Sequence, residues 1–390
     1  MPKLVFFANT DWYLYNFRRS LALAAQSSGY EVLLISPSGE YGERLRRLGL
    51  QWQPLPGMDR RSLNPLHELQ VLLSLVALFR RERPTLVHGF TIKCAVYGSL
   101  AARLARVPAR VNAVAGLGYV FASSDRRARW LRPLVRVMLR LALRGRHTRL
   151  ILQNPDDQAM FQQSGLIEFD RIDLIPGSGV DCARFAPRAD KGAALRPQPC
   201  VLLAARLLWD KGVAEYVEAA RLLRSAGRNV RFLLAGMPDR GNPAAVPESA
   251  LRQWVEDGLI EWLGHVDDTS ELFRSVDVVA LPTYYREGLP KSLIEAAACA
   301  LPLVTTDMPG CREVVTNEVD GLLIPPHDAG ALAHAIARLI DSPELARRLG
   351  AAARIKTLAN FDERIVIERT LAVYRELLRE AWQESSPLRA

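Results

Sequence analysis

At 390 residues, 49% hydrophobic and 24% charged, the chain is longer than one hydrophobic core usually supports and reads as two ordinary globular domains. The charge is uneven: 25 Lys and Arg against 13 Asp and Glu through Val180, a net of +12, then 26 against 29, a net of −3. No stretch reaches the roughly 18 consecutive apolar residues of a membrane span, and the longest candidate, Leu69 to Phe79, runs straight into Arg80 and Arg81.

In chain order, short apolar runs alternate with helical stretches. Lys3–Ala8 reads as a buried strand, and a helix is predicted around Phe17–Ser28. Strands follow at Glu31–Ile35, Thr85–His88, Arg110–Ala115, Leu150–Gln153 and Ile172–Ile175. After the Pro-rich stretch Ala186–Pro199 the series restarts at Cys200–Ala204 and continues through Val230–Ala235, Ile260–Leu263, Val278–Leu281, Leu303–Thr305 and Leu322–Ile324. Continuous apolar strands separated by helices belong to parallel sheets covered on both faces. The expected fold is therefore α/β, two doubly wound Rossmann-like domains facing a cleft, over 1–177 and 195–365. The last helical stretch, about 370–388, has no strand left to serve and is predicted to pack back on the first domain. Met1 to Ala8 lacks a basic n-region and cleavage site, and the five cysteines show no metal-ligand spacing. A reduced, cytoplasmic protein is expected.

Two carboxylates eight positions apart, Glu287 and Glu295, bracket Gly-Leu-Pro-Lys-Ser-Leu-Ile. Glu287 falls in a loop after the strand Val278–Leu281, and Glu295 on the helix that the loop opens. Pro290 suits a first helical turn, where its missing N–H costs nothing. The backbone amides of Gly288, Leu289 and Lys291 would then point toward an anion, with the helix dipole behind them. A diphosphate held there has one carboxylate on either side, each able to take sugar hydroxyls. Arg206 and Lys211-Gly212 follow the first strand of the second domain. Arg offers phosphate a bidentate fork and Lys a point charge, at a strand end where open α/β sheets place ligands.

R-x4-K-G followed by E-x7-E resembles the large family 4 of retaining, two-domain (GT-B) glycosyltransferases, and the resemblance covers essentially the whole chain. Gly177-Ser-Gly-Val-Asp181 with Phe185, Leu263–Asp268 and Thr306–Val314 are further matches. Asn112–Phe121 and the wording EGLPKSLIEA are similar to enzymes of bacterial surface polysaccharide and lipid-linked oligosaccharide assembly, which extend a sugar carried on undecaprenyl diphosphate. The resemblance implies transfer from a UDP-sugar, of N-acetylhexosamine type, to such an acceptor. Arg206 and Lys211 would neutralise the leaving diphosphate, Glu295 would hold the ribose, and Glu287 the donor sugar. The base would lie against Gly236, His265 and Val266. With no D-x-D in the chain, basic side chains and a helix N-terminus replace a metal.

The sequence also departs from the family pattern. Where many members carry a His beyond the strand that here ends Val114-Ala115-Gly116, this chain has Ala115, Gly116 and Leu117, and E-G-L-P-K stands for the commoner E-G-F-G-L-P. Asn16, Arg18, His88 and Gly116 are the acceptor-side candidates. Arg126 to Arg149 holds nine arginines and no acid, with Arg129, Arg132, Arg136, Arg140 and Arg144 on one helical stripe. A cationic amphipathic helix of this kind suits a peripheral contact with the anionic inner face of the cytoplasmic membrane. Three other readings compete. A nucleotide-sugar epimerase shares the architecture. A basic nucleic-acid-binding protein lacks any recognition motif here, and a dinucleotide dehydrogenase lacks a strand-linked G-x-G-x-x-G. No nucleic-acid partner is expected.

Overall fold

The computed structural model describes residues 1–59, 62, 64–114, 126–188, 198–239 and 241–385, with the backbone alone at 126–131 and 384–385. The chain forms two compact units, Met1–Ser178 with Arg364–Ala390, and Gly179–Glu363.

The first unit is built on a seven-stranded sheet in the order β3-β2-β1-β4-β5-β6-β7. Its strands are β1 (Lys3–Phe7), β2 (Glu31–Ser36), β3 (Gln51–Pro54), β4 (Leu86–Phe90), β5 (Ala109–Ala113), β6 (Thr148–Leu152) and β7 (Ile172–Leu174). Every pairing is parallel. Side chains alternate across the sheet, so each strand feeds two cores. Leu4 and Phe6 of β1 pack with Leu21, Ala22 and Tyr374 on one face. Val5 and Phe7 pack with Val71, Leu75 and Phe79 on the other. Both faces are covered, which is why these strands read as unbroken apolar runs.

Two features of this unit were not legible in advance. Strand β3, Gln-Trp-Gln-Pro, has no apolar run and exists by pairing along the sheet edge with β2, Leu33 through Ser36 matching Gln51 through Pro54. Pro54 closes the strand at the edge, where a missing donor is tolerated. The helix after β1 opens as one α-turn (Asp11–Tyr13) and passes through a π-helical segment, Leu14–Arg18, before Arg19–Ser27. Segments of that kind are rare and often sit at functional positions.

The second unit holds six parallel strands in the order β10-β9-β8-β11-β12-β13. They are β8 (Cys200–Ala204), β9 (Arg231–Ala235), β10 (Glu261–Gly264), β11 (Val278–Leu281), β12 (Leu303–Thr306) and β13 (Leu322–Ile324). This unit begins at Gly179 rather than at 195, for a clear reason. Val180 donates to the Phe361 carbonyl at 2.9 Å and accepts from the Glu363 amide at 3.0 Å, while Val180, Cys182 and Phe185 join the core under β11. The closing helix, Glu363–Ser385, belongs from Arg364 on to the first unit, where Val366, Tyr374, Leu377 and Leu378 lie buried against β1 and β4.

In each sheet the strand order reverses once, between β1 and β4 and between β8 and β11. The loops leaving those neighbouring strands diverge, and the gap between them is where doubly wound sheets accept ligands.

Candidate functional site

At the reversal point of the second unit, the loop after β8 carries Arg206 and Lys211, and the loop after β11 carries Glu287. A short 3-10 turn, Trp209–Lys211, ends at Gly212 with φ +76°. A β-carbon at Gly212 would collide with the backbone carbonyl of Pro282, so only glycine lets the two loops touch. They are stitched together at Asp210, whose carbonyl accepts from the Tyr284 and Tyr285 amides at 3.0 and 3.2 Å. The Thr283 hydroxyl donates to the same carbonyl at 2.9 Å and sits 3.3 Å from Glu287 Oε1.

This stitching brings Lys211 Nζ onto Glu287 Oε1 in an ion pair whose side chains are 12% and 13% exposed. Lys211 Nζ also lies 5.7 Å from the centre of the Tyr285 ring. Arg206, on the same loop, is 54% exposed and reaches Asp239 Oδ2 at 2.9 Å. Burial raises the pKa of the Asp210 carboxyl; Lys211 and Arg206 oppose the shift and Glu287 adds to it. Its Oδ1 is buried without a hydrogen-bond partner.

The helix that follows spans Lys291–Ala298, with Pro290 at its N-cap, where it carries no side-chain cap bond. Glu295 lies a turn in, 9% exposed, with Lys291 Nζ 3.8 Å from its Oε1. Burial raises the pKa of this carboxyl against the pull of Lys291 and Arg184. Beneath Glu287 and Gly288 runs the loop after β12. Gly310, φ +88°, would place a β-carbon 2.6 Å from the Gly288 carbonyl oxygen and 2.8 Å from Glu287 Cβ. Thr306 donates its hydroxyl to the Thr283 carbonyl. The segment Thr306–Val314 is thus the floor on which the Glu287 loop rests.

The loops after β9 and β10 join the same end of the sheet. Gly236, φ +133°, donates to the Gly264 carbonyl at 2.7 Å, and Trp262 Nε1 donates to the Gly236 carbonyl at 2.9 Å. A β-carbon at Gly236 would collide with the Ala205 carbonyl. Leu207 donates to the Met237 carbonyl at 3.0 Å, which ties this pair of loops to the Arg206 loop. His265 is exposed, with Nε2 3.3 Å from Asp267 Oδ1, and Val266 is half-buried against the β11 core.

The predicted residues of this unit therefore gather at one end of one sheet, on its loops and on the helix Lys291–Ala298. Lys211 meets Glu287 directly, and Lys291 meets Glu295. Thr283, Asp210, Asp239 and Gly310 were not singled out from sequence. Gly310 lies inside a segment already matched, whereas a lone Thr or Asp in a loop carries no periodic or spacing signal.

The acceptor-side candidates lie in the first unit. His88 needs a correction: it is 1% exposed in β4, on the face shared with Leu86 and Phe90. The final helix covers that face, and His88 Nδ1 lies 2.5 Å from the Tyr374 hydroxyl. Burial and the nearby Arg18 cation hold His88 well below the usual imidazole range, so it is a neutral core residue. Arg18 is 5% exposed, donates to the Tyr13 hydroxyl at 2.9 Å and stacks 4.5 Å from the Phe90 ring centre. Its Nε is buried without a partner, and among the described residues no carboxylate pairs with it. Asn16 donates to the Trp12 carbonyl at 3.0 Å. Gly116 lies outside the described residues.

Known proteins share this fold. The family model described as "Glycosyl transferases group 1" matches residues 198–342, and "Glycosyl transferase 4-like" matches residues 3–154. The chain is 29% identical over 386 residues to the N,N'-diacetylbacillosaminyl-diphospho-undecaprenol alpha-1,3-N-acetylgalactosaminyltransferase of Campylobacter jejuni, covering 97% of this chain and 99% of that one. It is 28% identical over 294 residues to the UDP-Gal:alpha-D-GlcNAc-diphosphoundecaprenol alpha-1,3-galactosyltransferase of Escherichia coli, covering 73% and 74%. Among solved structures, sucrose-phosphate synthase from Thermosynechococcus elongatus superposes with a TM-score of 0.80 at 20% identity, covering 97% of this chain and all of that one. Anabaena HepE in complex with UDP-glucose superposes with a TM-score of 0.75 at 19% identity, covering 95% and 100%. The chain belongs to the family 4 glycosyltransferases of the two-domain GT-B fold.

Proposed function

We propose that this enzyme moves a sugar of N-acetylhexosamine type from a UDP-sugar to a polyprenyl-diphosphate-linked saccharide, with retention of anomeric configuration and without a metal. The reading is carried by the largely shielded Lys211–Glu287 pair beside the N-terminus of the helix Lys291–Ala298, at the strand reversal of the second unit. Glycosyl transfer from a nucleoside diphosphate builds negative charge on the leaving phosphate, and a fixed cation with a helix N-terminus stabilises that charge where it develops.

In this reading Lys211 shares its charge between Glu287 and the diphosphate, and Arg206 adds a second cation from the exposed side. Glu287 takes hydroxyls of the donor sugar, and Glu295 those of the ribose. The backbone of Gly288, Leu289 and Lys291 faces the phosphates. The Gly236 and His265–Val266 loops flank the base. Arg18 and Asn16 serve the acceptor, because a buried guanidinium without a carboxylate has unspent capacity for a phosphoryl oxygen. The relatives named above act, by their names, on diphospho-undecaprenol-linked sugars, which supports the acceptor class.

Such an acceptor lies in a bilayer, and among the described residues no helix is long and apolar enough to cross one. The enzyme in this reading works at the inner face of the cytoplasmic membrane, docking through Arg126–Arg149, where Arg136, Arg140 and Arg144 are exposed. The test is UDP release with a panel of UDP-sugars, with and without a diphosphate-linked saccharide, and the anomeric configuration of the product by NMR. Release that ignores the acceptor, or an inverted product, overturns the reading.

A further inference from the structure

We infer that a second helix of the first unit, Pro65–Glu82, is an interfacial anchor whose outward leucines enter the acyl region of an anionic membrane. The inference rests on the membrane-docking reading above and extends it from electrostatic contact to apolar insertion by a different element.

The helix buries Val71, Leu75, Leu78 and Phe79 against the sheet. Its opposite side holds Leu66, Leu69 and Leu73, exposed by 74%, 51% and 56%. These positions, at i, i+3 and i+7, form one ridge. The other exposed positions between 65 and 77 are Pro65, Gln70, Ser74 and Ala77. About three and a half helical turns of exposed surface thus carry no charge, until Arg80 and Arg81 close them. The acids of the helix are turned away from this ridge: Glu68 is buried against Lys93, with 2.8 Å between them, and Glu82 pairs with Lys3. A water-facing helix of this length ordinarily places charges on its outer side.

A neighbouring element repeats the pattern. Ile92–Leu104 lies between Pro65–Glu82 and Arg126–Leu143 on the same face of the sheet, and Arg103 donates to the Leu141 carbonyl at 2.6 Å. Along Arg126–Leu143, Leu134, Val137 and Leu141 are exposed by 57%, 57% and 43%, again at i, i+3 and i+7. They interleave with the exposed Arg136, Arg140 and Arg144. The two outer helices of one three-helix layer therefore both present apolar ridges, one of them set among arginines.

The charge selects the occupant. A second copy of this chain would bring the same arginines to the interface, and like charges oppose an isologous contact. An anionic bilayer offers what both ridges lack, an apolar layer under a phosphate layer. Leucines reach the first while arginines stay at the second.

The experiment uses the full chain and phosphatidylcholine vesicles with and without phosphatidylglycerol. Leu66→Glu/Leu69→Glu/Leu73→Glu is expected to lower partitioning onto anionic vesicles about tenfold or more, with an unchanged melting temperature because all three side chains face out. Leu222→Glu, an exposed leucine of the other unit, is expected to bind as wild type does. All five native cysteines are buried, so Leu69→Cys accepts a thiol-reactive environment-sensitive dye selectively, and its emission is expected to rise on anionic vesicles. Unchanged partitioning of the triple variant, or a dye that ignores the vesicles, overturns the inference. So does self-association, seen on size exclusion, that the triple variant abolishes without any lipid dependence. Transfer to a short-chain, water-soluble acceptor tests the enzymatic reading separately. An inactive wild type with leucine-dependent vesicle binding removes the function and leaves the anchor; normal transfer with leucine-independent binding does the reverse.

Discussion

Lys211 and Glu287 are 76 residues apart in sequence and form one largely shielded ion pair, because the Asp210 carbonyl in the turn before Gly212 accepts from Thr283, Tyr284 and Tyr285 of the loop after β11. A shielded pair is costly to break from either side, since the remaining charge keeps its desolvation without its partner. It also aims an ammonium and a carboxylate at the same gap between strands. Lys211→Ala and Glu287→Ala are each expected to lower turnover about a hundredfold or more, by steady-state UDP release on protein whose fold is checked by circular dichroism. Near-normal turnover in both variants would make the pair a structural one.

Glycine at 212 is demanded twice, by φ +76° and by the Pro282 carbonyl. Gly212→Ala is expected to destabilise the second unit by about 2 kcal/mol or more, read by urea unfolding. Donor affinity should fall with it, because the displaced turn carries Lys211. A variant as stable as wild type would mean that the two loops can separate freely.

Glu295 offers a pH test with a definite sign. Burial raises its pKa above the ordinary carboxyl value, so the folded state holds this proton more tightly than the unfolded state. Its contribution to stability is largest below the unfolded value and is lost as pH rises from there through the raised value. Glu295→Gln is therefore expected to raise the melting temperature at neutral pH, the gain disappearing below the ordinary carboxyl range. In the same variant, UDP-sugar affinity by calorimetry should drop. A gain in stability with unchanged affinity would remove Glu295 from the donor site.

The His88–Tyr374 contact separates a structural role from an acceptor role. Tyr374→Phe leaves the imidazole Nδ1 buried and unpaired, a loss of about 1–3 kcal/mol, and the first unit should unfold at lower denaturant. The acceptor KM should stay as it is. A change in acceptor KM without loss of stability would return His88 to the substrate side.

Arg18→Lys keeps the charge and removes the planar fork. The acceptor KM is expected to rise roughly tenfold while the donor KM holds. An equal change in both would point to a general defect in folding.

The α/β class, twelve of the thirteen strands among the described residues, and the loop and helix positions of Arg206, Lys211, Glu287 and Glu295 follow from local patterns in the chain. Apolar run length, glycine and proline placement, and the spacing of charges report on the nearest few residues, and a parallel sheet buried on both faces makes such runs unusually plain. Tertiary structure decided what depends on partners far away in sequence. Strand β3 exists by pairing with β2, and Gly179–Phe185 joins the second unit through Phe361, Glu363 and the core under β11. His88 is a core residue because a helix some 286 positions later covers its face of β4. Thr283 and Asp210 enter the site because two loops were brought within hydrogen-bond reach. Side-chain direction and burial are set by packing, and packing energy belongs to pairs of elements, so no single segment could reveal them.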